Sequence, residues 1–87
     1  MKLLILYHPK SEFATAVETF AEDCKSLSPN DVRALSVDTP EGSAQSDLYG
    51  PLEYPSIIVT RDDGQLVKYW QGDSLPSAEE VVGYLNL

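Results

Sequence analysis

The stretch "LYHPKSEFATAVETF", residues 6–20, holds the chain's one histidine and, in Ser11, a hydroxyl at the start of a helical pattern. An apolar strand runs into a short polar loop and then into an amphipathic helix, where small α/β proteins often place chemistry. The loop contains no cysteine and no glycine. His8 and Ser11 are three residues apart on a tight turn with no third group to orient them, so a nucleophile–base pair is not the expected reading. We expect His8 to be exposed or to cap the loop, and Ser11 to be the N-cap of the following helix, with Glu12 meeting the positive end of its dipole. The only cysteine, Cys24, falls on the apolar stripe of that helix, and we expect a buried, unreactive thiol.

No spacing of Asp38, Asp62, Asp63 and Asp73 matches a metal site, and a lone cysteine allows neither an intrachain disulfide nor a thiolate-pair metal site. The residues therefore call for no metal and no cofactor. Tyr7, Tyr54, Tyr69 and Trp70 are strand or strand-flanking aromatics suited to packing, and Trp70, alternating with Leu66 and Lys68, is expected to be half exposed.

The elements that position these residues follow from periodicity. "LLILY", residues 3–7, is continuously apolar, as a strand covered on both faces requires. Phe13, Val17, Phe20, Cys24 and Leu27 recur at helical spacing, giving a helix over 11–27 whose stripe, Leu27 included, faces the core. Residues 32–37 alternate and read as a shorter strand at a sheet edge. Residues 39–50, with "TPEGSAQS", read as irregular, with at most one short helix around 44–49. Strands over 56–60 and 65–71 flank "DDG", a hairpin signal because Gly64 accommodates positive φ. A final helix over 77–86 carries Ser77 and Glu80 at capping-box spacing. The order is β-α-β-(α)-β-β-α. The first crossover is parallel and right-handed, giving an α/β fold with a four-stranded mixed sheet and helices on both faces.

Eighty-seven residues make one domain, 1–87, with 43% hydrophobic and 23% charged residues as in an ordinary globule. A formal net charge of −8 argues against nucleic acid and anionic membrane as partners. The first residues form too short an apolar run for a signal peptide or a membrane span, so the expected location is intracellular and cytoplasmic.

"YGPLEYPSIIVTRDDGQLVKYWQG" resembles the thioredoxin pattern of Tyr-Gly, a proline, an apolar strand, a charged glycine turn, a second strand and a glycine. The order of elements is similar to the thioredoxin-like superfamily in its short glutaredoxin-like form, over nearly the whole chain. The resemblance implies that Pro55 is the family's cis-proline and that the backbone of Tyr54 faces an extended peptide or thiol. "YHPKSEFA" is similar to the glutaredoxin Tyr-x-x-Pro-x-Cys-Pro-Tyr-Cys motif, one residue shorter, with Ser11 and Ala14 at the two redox positions. Dithiol exchange needs a low-pKa thiolate at the helix N-terminus, which serine and alanine do not supply.

Three functions are compatible with this reading. The first is a redox-inactive binding module whose groove, lined by His8, Lys10, Ser11, Glu12, Phe13, Tyr54, Pro55, Gly72 and Asp73, contacts a peptide or protein. The second is an enzyme using Ser11 to orient glutathione or another small thiol. The third is assembly through an exposed strand edge, with the oligomeric state left open.

Overall fold

A computed structural model describes residues 1–28, 31–50, 53–72 and 75–86. Seven elements follow in the order β1 (Lys2–Tyr7), α1 (Ala14–Leu27), β2 (Asp31–Ser36), α2 (Pro40–Tyr49), β3 (Ser56–Thr60), β4 (Leu66–Gln71) and α3 (Ala78–Leu85). They build one four-stranded sheet in the order β2-β1-β3-β4. β1 and β2 are parallel, with Lys2 opposite Asp31 and Tyr7 opposite Ser36. β3 runs antiparallel to both β1 and β4, so the sheet is mixed.

β3 is buried at every residue, because it is central and both its faces are covered. On one face Leu3, Ile5, Ile57 and Val59 meet Val17, Phe20, Ala21 and Cys24 of α1 and Val81, Val82 and Leu85 of α3 in a single apolar cluster. Burying each of the valine, leucine, isoleucine and phenylalanine side chains among them contributes about 1.5–3 kcal/mol. On the opposite face Leu6 and Ile58 are also fully buried, and α2 packs against β2. The β3–β4 turn is closed by Gly64 N–H to the Arg61 carbonyl at 2.9 Å and Arg61 N–H to the Gln65 carbonyl at 2.8 Å, with Gly64 at φ 91°. Ser77 caps α3, its Oγ accepting from the Glu80 N–H at 3.1 Å.

Three expectations need correction. α1 begins at Ala14 rather than residue 11, since residues 9–13 form turns and Phe13 holds the N-cap position without a side-chain cap bond. Leu27 is 48% exposed and Ser28 buried: at one hundred degrees per residue Leu27 falls about 60° short of the line of Cys24, at the margin of the core stripe and at the very end of the helix. The short helix allowed around 44–49 is longer and starts earlier: residues 39–50 hold the ten-residue α2. Its start is local chemistry. Thr39 Oγ1 accepts from the Gly42 N–H at 3.1 Å, Pro40 opens the first turn, and Glu41 sits at the positive end. Gly42 is buried where α2 meets β2: a Cβ there would lie 1.8 Å from the Ser36 carbonyl oxygen. β2 is a sheet edge, as its alternation predicts, and Trp70 is half-buried, edge-on to Tyr84 at 5.5 Å.

Candidate functional site

The carboxyl ends of β1 and β2, the start of α1 and the entry to β3 meet at one end of the sheet. Val37 N–H donates to the Tyr7 carbonyl at 3.0 Å, tying the exit of β2 to that of β1. After Tyr7 the chain folds back on itself. The His8 carbonyl accepts both the Ser11 N–H at 3.1 Å and the Ser11 hydroxyl at 2.7 Å. Ser11 therefore closes a turn before the helix and does not cap it, which corrects the N-cap expectation. A hydroxyl that can bond its own neighbouring backbone competes with the cap geometry, and here the turn wins.

His8 is half exposed. Its Nδ1 lies 3.9 Å from Asp38 Oδ1, and its ring stands edge-on to Tyr54 with centroids 5.0 Å apart. Tyr54 is fixed from its far end as well, by a hydrogen bond between its hydroxyl and Ser46 Oγ on α2. The Tyr54–Pro55 peptide is cis and Pro55 is buried. The Pro55 carbonyl accepts from the Gly72 N–H at 3.1 Å, and Glu53 N–H donates to Gln71 Oε1 at 3.2 Å, so β4 and its exit clamp both sides of Tyr54. Among the described residues, the Tyr54 main chain makes no hydrogen bond of its own.

The structure thus brings His8, Tyr54, Pro55 and Gly72 into one connected group, with Ser11 bonded to the His8 carbonyl. Lys10 and Glu12 are exposed on the turn, and Phe13 is half-buried at the helix entry. Asp73 lies outside the described residues. Asp38 and Ser46 also belong to the site and were not expected there. A signal for Asp38 existed in its place just past the end of a strand parallel to β1. Ser46 had none, because its partnership with Tyr54 depends on α2.

Cys24 is fully buried against the sheet. Burial pushes its thiol up to about 11, and the carboxylates of Asp23 and Glu79 add to the rise. Neither access nor ionisation favours nucleophilic chemistry at that sulfur. Among the described residues no three histidine, cysteine or acidic groups are placed to hold a metal ion. No helix among them is long and apolar enough to cross a membrane.

No protein-family model matches the chain, and neither does any curated protein. Among solved structures it is similar to thioredoxin 1 from the thermophilic eubacterium Thermosipho africanus TCF52B. The match has a TM-score of 0.67 and 19% identity, covering 99% of this chain and 91% of that one. With the mixed sheet ordered β2-β1-β3-β4 and helices on both faces, the chain has a thioredoxin-like fold.

Proposed function

We propose that this protein is a binding module on the thioredoxin-like fold that performs no thiol–disulfide exchange, and that it holds an extended peptide segment of a partner along Tyr54 and Pro55. The observation that carries this reading is the backbone of Tyr54. It has no main-chain partner among the described residues, while its side chain is held by His8 on one side and Ser46 on the other. Backbone N–H and C=O groups fixed in this way offer an incoming strand two hydrogen bonds at little ordering cost.

The sulfur supports the reading of inertness. Exchange requires an accessible thiolate, and the single cysteine of the sequence is buried, neutral and on the core side of α1. Ser11 is poorly set to replace it as a thiol-orienting donor, because its hydrogen already goes to the His8 carbonyl.

Selection of peptides from a displayed library on immobilised protein, followed by amide-shift mapping of the winners, tests the reading. The expected winners shift the amides of His8, Tyr54 and Gly72 and lose affinity for Tyr54→Asp, whose dispersed spectrum reports an intact fold. Shifts of the same amides by glutathione alone, with no response to any selected peptide, would contradict it in favour of the small-thiol enzyme.

A further inference from the structure

A second surface lies apart from the Tyr54–Pro55 end. Helices α1 and α3 pack side by side on one face of the sheet, and a groove of about 720 Å³, open to solvent, runs between them. Phe20 and Ala78, both buried, form its floor. Its walls carry the half-buried Leu75 and Pro76 and the side chain of Leu27, 48% exposed at the end of α1. Among the described residues Leu27 is one of few large apolar side chains left to water, and here it extends an apolar floor.

The charge around the groove has one sign. Asp23 and Glu79 are its charged lining residues, exposed and on facing helices, and no Lys, Arg or His lines it among the described residues. The nearest cation on α1, Lys25, lies 3.7 Å from Glu22. Both groove carboxylates are felt beneath the floor, where they reinforce the effect of burial on the Cys24 thiol. An open trough does not enclose a small molecule as binding pockets do. A second copy of this chain would bring a net charge of −8 to an acidic rim.

The geometry points to the α1–α3 groove as a docking site for a basic peptide segment of a partner protein. An aliphatic or aromatic anchor would sit on Phe20 and Leu27, flanked by Lys or Arg reaching Asp23 and Glu79. The site does not depend on the groove beside Pro55, and the two are separable by which amides respond.

The test uses the whole chain, isotope-labelled, and three synthetic dodecapeptides: one with a central Leu-Phe pair and four flanking lysines, one with glutamates in place of the lysines, and one with the lysines but serines for Leu-Phe. The first alone is expected to shift the amides of Ala16, Thr19, Leu27 and Ala78. Its affinity is expected to fall at least tenfold in Asp23→Lys/Glu79→Lys and severalfold in Leu27→Ala. All three positions are exposed or half-exposed, so native-like spectra of the variants are expected alongside. Several results would overturn the proposal: no shifts with the first peptide, equal shifts with the serine peptide, shifts confined to His8–Phe13 and Tyr54, or peptide-free shifts at the groove that grow with protein concentration and mark a second copy.

Discussion

Cys24 gives a prediction that can be worked to a number. Its thiol is raised from 9.0 to about 11, by burial first and then by Asp23 and Glu79. Two units mean that at any pH well below 9 the native thiolate fraction is about a hundredfold smaller than that of the unfolded chain. At pH 7.4 a thiol at about 11 is roughly 0.03% ionised, and occlusion of a fully buried sulfur slows attack further. Labelling by a chromogenic disulfide reagent should therefore run more than about a hundredfold slower in the native protein than in urea, and should keep rising with pH beyond 9. The same shift has a stability consequence. Between pH 9 and about 11 the unfolded chain has released the proton that the native chain still holds, so stability falls as pH rises, by about 1.4 kcal/mol per pH unit and about 3 kcal/mol in all. Below pH 9 that stabilisation is fully present. Urea titrations at pH 8 and pH 10.5, run in parallel on Cys24→Ala, isolate this thiol from the tyrosines and lysines. The variant costs about 1 kcal/mol at pH 8 and should lose this slope. Native labelling within tenfold of the unfolded rate at pH 7.4, or identical alkaline slopes in the two proteins, would refute the placement of Cys24 in the core.

The turn at Ser11 predicts that Ser11→Ala changes stability by no more than about 0.5 kcal/mol, because the lost bond is exposed and local; a helix cap would cost about 1 kcal/mol or more, and thermal unfolding separates the two. Gly42→Ala forces a Cβ to within 1.8 Å of the Ser36 carbonyl oxygen, a backbone atom, and should destabilise by more than about 2 kcal/mol with loss of α2 amide protection in hydrogen exchange. Gly83→Ala, by contrast, adds a Cβ in the middle of α3 that meets no heavy atom within 4 Å beyond the helix's own adjoining backbone, and should raise stability by about 0.5–1 kcal/mol in urea titration.

Which parts of this structure were readable in advance depends on how far their causes lie along the chain. "SIIVT", "DDG" and "LVKYW" carry their own instructions: alternation or continuous apolarity, and a glycine where φ must be positive. The stripe of α1 was readable for the same reason. Its start was not, because Ser11 satisfies the statistics of a cap and of a turn equally. The His8 carbonyl, fixed by the exit of β1, decided between them. α2 was readable only as a short helix around 44–49, because helix reading leans on an apolar stripe, and α2 buries only Gly42 while Leu48 stands 71% exposed. The local marks were present in Thr39, Pro40 and Glu41. At the site, His8, Tyr54, Pro55 and Gly72 came from a family pattern. Asp38 and Ser46 entered through parallel pairing and the packing of α2, which no short stretch encodes.

The central claim is a thioredoxin-like fold without thiol exchange. Its most direct test is the insulin-reduction assay with dithiothreitol as electron donor, comparing wild type, Cys24→Ala and buffer. The account predicts that neither protein accelerates insulin precipitation over dithiothreitol alone. Acceleration by the wild type that disappears in Cys24→Ala would contradict it, since that sulfur would then have to be reachable from the surface.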